Sequence, residues 1–79
     1  MNINQIALDQ LPIGKKAYVA ALTSDGMTRR RMLDLGVVDG TEIEPLYKSP
    51  SGNPVAYLIR GAVIALRSDV SEKIMVSEL

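Results

Sequence analysis

The spacing of apolar residues divides most of the chain into short strands separated by turns. Tyr18, Ala20 and Leu22 alternate with Val19 and Ala21, which is the period expected of a strand that is buried on one face. Other short apolar runs are bounded by residues that favour turns, and they predict four more strands. The five predicted strands cover residues 17–22, 41–48, 55–59, 62–66 and 75–79.

The connections between these strands are short. Residues 39–40 and 60–61 predict tight turns, and residues 49–53 are rich in turn-forming types and predict a hairpin loop. Pro45 interrupts the second strand and has no backbone N–H to donate. It therefore indicates either an edge strand or a bulge at that point. Residues 8–14 predict a packed turn ahead of the first strand.

Two short helical segments complete the prediction. Thr28 is a suitable N-cap, and Gly36 stands where a left-handed residue would end a helix of about two turns. Residues 68–74 predict a second helical turn, with Asp69 as its cap and Glu72 as the capping-box partner. Five short strands with tight turns and little helix predict a mainly β fold, a small closed β-barrel.

The two strands of the predicted hairpin at residues 55–66 are apolar at every position. In a small barrel only alternate positions point inward, so one face of this hairpin has no core to enter. A helix, the terminal segment or a bend covers that face, or the face is exposed and marks an interaction site. For the second case we predict Tyr57, Ile59 and Ile64 as partner-binding residues.

Size and composition limit the chemistry of the chain. Its 79 residues predict one small domain spanning residues 1–79. The sequence contains no Cys and no His, so it lacks disulfides, thiolate metal ligands and the commonest general base. No run approaches the roughly 18 apolar residues of a membrane span. These features predict a soluble cytoplasmic protein that is not an enzyme and holds no cofactor.

Charge also argues against two classes of ligand. Nine Lys and Arg balance nine Asp and Glu, so there is no overall field to attract nucleic acid. Carboxylates and thioethers could be considered as metal ligands, but without His they form weak and unselective sites. We therefore predict no metal site among the residues concerned, which are Met27, Met32, Asp34, Asp39, Glu42 and Glu44.

Residues 29–41 carry the most specific pattern in the chain, Arg-Arg-Arg-Met-Leu-Asp-Leu-Gly-Val-Val-Asp-Gly-Thr. This pattern resembles the signature of the bacterial ferrous iron transport protein A family. Four further motifs of that family have similar counterparts in order along the chain, at residues 11–14, 49–54, 60–61 and 65–67. The resemblance covers nearly the whole sequence. It departs from the family pattern mildly at Asp39, Pro45 and Ala62.

The resemblance implies an SH3-like fold and a role in ferrous iron uptake. The implied partner is the membrane Fe²⁺ permease with a cytoplasmic GTP-binding domain, ferrous iron transport protein B, which the chain would bind at its cytoplasmic side. An alternative is an SH3-like regulatory domain related to the C-terminal domain of metal-dependent transcriptional repressors, although the DNA-binding helical region of such repressors has no counterpart here. Weak homo-oligomerisation stays open.

Arg29, Arg30 and Arg31 are the second set of predicted partner-binding residues. In the first turn of the predicted helix, each cation is disfavoured by roughly 0.3 to 1 kcal/mol at low salt. The cluster has three interpretations. It is a solvated face paired with nearby carboxylates, or it contacts an acidic patch on a partner protein. In the third, one of the arginines acts on the nucleotide of a GTPase. Three adjacent arginines do not distinguish the last two interpretations.

Overall fold

The computed structural model describes residues 5–78. Six antiparallel strands form one sheet in the order β1-β6-β2-β3-β4-β5, and two short helices and one 3-10 turn connect them. The strands are β1 (Gln5–Ala7), β2 (Ala17–Leu22), β3 (Glu42–Lys48), β4 (Val55–Ile59), β5 (Ala62–Leu66) and β6 (Ile74–Glu78). The helices are α1 (Gly26–Asp34) and α2 (Ser68–Ser71), and the 3-10 turn is Leu8–Gln10. The predicted mainly β fold is thereby confirmed.

Most strand bounds agree with the sequence pattern. β2, β4 and β5 have the predicted ends, β3 begins one residue later, and the last strand begins one residue earlier at Ile74. Leu79, the predicted end of that strand, lies outside the described residues. The extra strand is β1, in which Ile6 pairs with Val76 of β6. The three described residues of β1 are too few to show a periodic pattern, and in the structure the strand is recognised by its pairing with β6.

The sheet curves around its core but keeps two edges. Its order places β1 at one end and β5 at the other, so among residues 5–78 no ladder between these two strands closes the barrel. Register shifts between Val19 and Ala21 in β2, and between Pro45 and Tyr47 in β3, bend the sheet. β3 lies between β2 and β4, so the bulge interpretation of Pro45 is confirmed and the edge interpretation is wrong.

One hydrophobic cluster fills the concave side of the sheet. It is aliphatic apart from Tyr57, whose hydroxyl has a raised pKa because of burial, an effect opposed by a hydrogen bond with Ser71 and increased by the charge of Asp9. The members of the cluster are Leu8, Leu11, Ala17, Val19, Met32, Val37, Ile43, Tyr57, Ile59, Leu66, Ile74 and Val76. α1 therefore attaches to the sheet through one fully buried side chain, that of Met32.

Both helices have N-caps that differ from the predicted ones. Asp25, in an extended conformation, is the N-cap of α1, so Thr28 lies inside the helix and the predicted cap is wrong. α2 is one turn only, and its N-cap is Arg67 rather than Asp69. The Ser68 N–H donates to Asn53 Oδ1 at 3.0 Å. That cap comes from a loop fifteen residues away, which local pattern cannot reveal.

The predicted end of the first helix is confirmed in detail. Gly36 has φ of +90°, its N–H donates to the Leu33 carbonyl at 3.0 Å, and the Val37 N–H donates to the Met32 carbonyl at 2.9 Å. This pair of bonds is the Schellman arrangement, and the buried side chains of Met32 and Val37 supply its apolar contact. Thr41 Oγ1 donates to the Gly36 carbonyl at 2.8 Å and fixes the chain as it leaves the helix.

Candidate interaction surface

The arginines of α1 do not lie where the sequence placed them. Because the helix begins at Gly26, Arg29 is its fourth residue and Arg31 lies in its last turn. A positive charge near a helix C-terminus is favourable rather than unfavourable. The expectation that all three arginines occupy the first turn is therefore wrong, and helix position alone offers no argument for a functional role.

The three arginines also point in different directions, since successive residues of an α-helix are about 100° apart. Arg29 Nη1 donates to the Leu22 carbonyl at 3.2 Å and so completes the end of β2. Arg31 lines a groove beside β5, whereas Arg30 is exposed and does not line that groove. The three arginines are therefore adjacent in the sequence but lie in three different environments. Partner binding by these arginines stays a prediction.

None of the arginines in the described range takes part in an ion pair. The two ion pairs among residues 5–78 both use lysine, Lys15 with Glu78 at 3.7 Å and Lys16 with Glu42 at 4.0 Å. Within that range, the structure does not show the local carboxylate partners proposed in the solvated-face interpretation. The guanidinium groups of Arg30 and Arg31 are exposed side chains available to a partner.

The expected exposure of two hairpin residues is wrong. Tyr57 and Ile59 are 2% and 0% exposed, and Ile64 is half-buried against the core. Alternation along β4 and β5 turns these three side chains to the concave side of the sheet. They stabilise the fold, and only Ile64 retains enough exposed surface to contact another molecule.

The opposite side of the same hairpin is the exposed one. Leu58 pairs with Val63 across β4 and β5, and Tyr47 of β3 lies opposite Ala56, which in turn pairs with Ala65. The side chains of Tyr47 and Val63 are 60% and 58% exposed. We call this apolar surface the hairpin outer face and define it by Tyr47, Leu58, Val63 and Ala65. The predicted turn at 60–61 implies the pairing of Leu58 with Val63, but an all-apolar hairpin does not reveal which side is buried.

β5 also borders a groove on its free edge. Its floor consists of the apolar side chains of Met32, Leu35, Ile64 and Val70, and Arg31 and Arg67 flank it. The groove has a volume of about 270 Å³, and none of its lining residues is acidic. We call it the edge groove. Its volume is slightly below the roughly 300 to 1,000 Å³ of typical small-molecule sites, so it suits individual side chains better than a cofactor.

Two residues of the signature motifs meet in the fold. A Cβ atom on Gly36 would overlap Cδ of Arg60, so the Arg60 side chain lies against the end of α1. Arg60 and Gly61 have φ of +52° and +82°, the type I′ turn that suits a two-residue hairpin. Gly36, Thr41 and Arg60 are therefore explained by the fold before any ligand is considered.

Acidic residues gather at a second, shallow surface. Asp39, Glu42 and Glu44 border a concavity of about 530 Å³ together with Leu58 and Arg60. Within residues 5–78, no group of three or more His, Cys, Asp or Glu side chains is arranged to hold a metal ion. No helix in this part of the chain has both the length and the apolar character needed to cross a membrane.

Comparisons with known proteins place the chain among small SH3-like proteins. A family model described as the FeoA domain matches residues 6–78. A FeoA-like protein from Clostridium acetobutylicum is 34% identical with a TM-score of 0.88, and the match covers 100% of this chain and 91% of that one. FeoA from Stenotrophomonas maltophilia, solved with zinc and described as a prokaryotic SH3 domain protein, is 27% identical with a TM-score of 0.80, over 89% of this chain and 87% of that one. A comparison with curated proteins found no match.

A transcription factor shares the fold as well. A manganese-dependent transcriptional repressor is 19% identical with a TM-score of 0.88, and the match covers 99% of this chain and 43% of the repressor. At that identity the likeness concerns the fold alone. The motif resemblance and the SH3-like fold predicted from the sequence are both confirmed by these comparisons.

Proposed function

We propose a function for this chain from the premise that it belongs to the FeoA domain family, a family of ferrous iron transport whose model matches residues 6–78. That match is the observation that carries the proposal. The chain acts as a small cytoplasmic accessory protein of ferrous iron uptake. It binds the cytoplasmic side of a membrane Fe²⁺ permease that carries a GTP-binding domain, and it modulates that permease.

Binding rather than catalysis suits the residues available. The chain contains neither His nor Cys, and Tyr57, a buried hydroxyl with a perturbed pKa, lies within the core. The hairpin outer face exposes apolar side chains, and exposed apolar surface on a small protein supports a role in protein contacts. The relative from Stenotrophomonas maltophilia is described as a candidate ferrous iron transport activating factor, which agrees with an accessory role.

Modulation requires that the chain bind two states of the permease with different affinity. A ligand shifts a conformational equilibrium only by the difference between its binding free energies for the two states. A rigid SH3-like domain with an apolar face and an adjacent cationic groove satisfies this requirement when one permease state presents a matching surface and another hides it. The nucleotide cycle of the GTP-binding domain supplies such states.

The proposal is tested by direct binding. We expect the fluorescently labelled chain to bind the purified permease in lipid nanodiscs, with an affinity that differs between the GTP-bound and GDP-bound permease. Because the available groove is cationic, binding should weaken when the salt concentration is raised from 50 to 500 mM, conditions that shorten the Debye length to below about 10 Å. Nanodiscs of the same lipids without permease are the control. Absence of binding in every nucleotide state would refute the proposed function.

A further inference from the structure

The free edge of β5 has no charged residue, proline or bulge within the strand, and α1 and α2 border it across the edge groove. Native edge strands avoid unwanted pairing by means of charged residues, proline, bulges or a covering element. β5 has the sequence Ala-Val-Ile-Ala-Leu, pairs in regular register with β4, and forms the end of the sheet. Among residues 5–78 the other edge strand, β1, comprises three residues and offers a shorter template. An open, apolar edge of this kind can accept another strand.

The hairpin geometry identifies the backbone groups that are available. In the two-residue turn at 60–61, the Ala62 N–H bonds to the Ile59 carbonyl, and hydrogen-bonded and non-bonded pairs then alternate along the ladder. Val63 and Ala65 occupy the non-bonded pairs. Their N–H and C=O groups therefore point away from β4 toward the free edge, and no backbone partner for them exists among residues 5–78.

The edge groove supplies side-chain recognition beside these backbone groups. A strand added along β5 would direct alternate side chains toward the concave side of the sheet, where Met32, Leu35 and Ile64 form an apolar floor. Arg31 and Arg67 flank that floor, and neither forms an ion pair in the described chain. The complementary segment has an apolar residue for the groove and carboxylates near it.

We propose that β5 binds an extended acidic segment of the permease by strand addition, with an apolar side chain of that segment in the edge groove and its carboxylates paired to Arg31 and Arg67. This proposal rests on the proposed function, and it specifies which surface of the chain contacts the permease. A second copy of the chain fits the edge less well, because pairing β5 with β5 around a two-fold axis brings the arginines of both copies to one interface, and like charges facing each other are costly.

The backbone contact is tested with a matched pair of variants at one position. Ala65→Pro removes an edge-facing N–H that makes no bond within the fold, and proline is tolerated at such edge positions. Ala65→Ser keeps that N–H. We expect Ala65→Pro to weaken binding to permease nanodiscs about tenfold. A loss of that size corresponds to roughly one lost backbone hydrogen bond together with a weakened adjacent one. Ala65→Ser should therefore lose much less affinity than Ala65→Pro, and equal losses from the two variants would contradict the backbone contact.

The electrostatic contact has its own matched control on the same helix. Arg31→Gln combined with Arg67→Gln should weaken binding and flatten its dependence on salt, because two charges leave the groove. Arg30→Gln removes a neighbouring charge that does not line the groove, and it should weaken binding less than the double variant does. Equal losses from Arg30→Gln and from the double variant would overturn the groove as the recognition site.

Amide hydrogen exchange provides a measurement that needs no variant. In the free chain the Val63 and Ala65 amides should exchange quickly and the Ile64 amide slowly, since only the last is bonded to β4. Binding of the permease should slow exchange at Val63 and Ala65. Strand addition is refuted, while the proposed function stands, if the chain binds the permease with no change in exchange at these two amides and with no loss of affinity in either set of variants.

Other outcomes separate the remaining possibilities. If the unmodified chain does not bind the permease at all, both proposals fall. The chain is also tested with anionic nanodiscs that contain no protein. If it binds them and the Arg31 and Arg67 double variant does not, the groove binds lipid and the peptide proposal is overturned. Sedimentation velocity tests for a dimer of the chain. If Ala65→Pro abolishes such a dimer but leaves permease binding unchanged, the edge binds a second copy and the peptide proposal is overturned.

Discussion

Tyr57→Ser is expected to unfold a large share of the protein at 25 °C, although a serine at the next residue leaves the fold intact. The Tyr57 side chain is 2% exposed and belongs to a cluster that contains no other aromatic residue. Removing a large buried aromatic side chain typically costs about 3 to 5 kcal/mol. That cost is comparable to the roughly 3 to 5 kcal/mol that a core of this size supplies in total.

Leu58→Ser is the matched control, because Leu58 is the neighbouring residue and points to the hairpin outer face. Urea denaturation followed by far-ultraviolet circular dichroism measures both variants against the unmodified chain. We expect no cooperative transition, or one at much lower urea, for Tyr57→Ser and a small change in midpoint for Leu58→Ser. Equal midpoints for the two variants would mean that the inward and outward faces of β4 are assigned wrongly.

Gly36→Val is the substitution outside the core with the largest expected effect. Gly36 has φ of +90°, a region in which a β-branched residue is strained by about 1 to 3 kcal/mol. A Cβ atom there would also overlap the Arg60 side chain. For a domain of this length, each 1 kcal/mol lowers the melting temperature by roughly 4 to 8 °C. Differential scanning calorimetry should therefore show a large decrease.

A second glycine separates backbone strain from the overlap. Gly52 has φ of +87°, but nothing lies within 4 Å of a Cβ atom placed there, so Gly52→Ala reports strain alone. Gly36→Ala should be more destabilising than Gly52→Ala, and the excess should shrink in an Arg60→Ala background, where the overlapping atoms are absent. Equal effects at Gly36 and Gly52, with no recovery on removing Arg60, would contradict the contact between the helix end and the hairpin turn.

Local pattern predicted those elements whose cause is local. The alternation of residues 17–22, the end of α1 at Gly36 and the turn at residues 60–61 depend on the preferences of a few neighbouring residues, and all three agree with the structure. The predicted start of α1 does not agree with the structure, because Asp25 and Thr28 are both residue types that can cap a helix.

Features that depend on distant residues were not predictable from one sequence. β1 exists through its pairing with β6, and Ser68 at the start of α2 bonds to Asn53, which no local motif indicates. The predicted exposure of Tyr57 and Ile59 is wrong for a similar reason. A hairpin that is apolar on both sides gives no sign of which side meets the core, so Tyr57 and Ile59 were assigned to a surface that belongs to Leu58 and Val63.

Iron flux measures the proposed modulation most directly. The initial rate of Fe²⁺ entry is followed in proteoliposomes that contain the purified permease, with GTP on the side of its GTP-binding domain and with the chain added to that side. Tyr57→Ser, which is expected to be unfolded, is the control for added protein. We expect a change in rate that saturates with the concentration of the folded chain and is absent with the control. An unchanged rate at concentrations that saturate binding would contradict the proposed role.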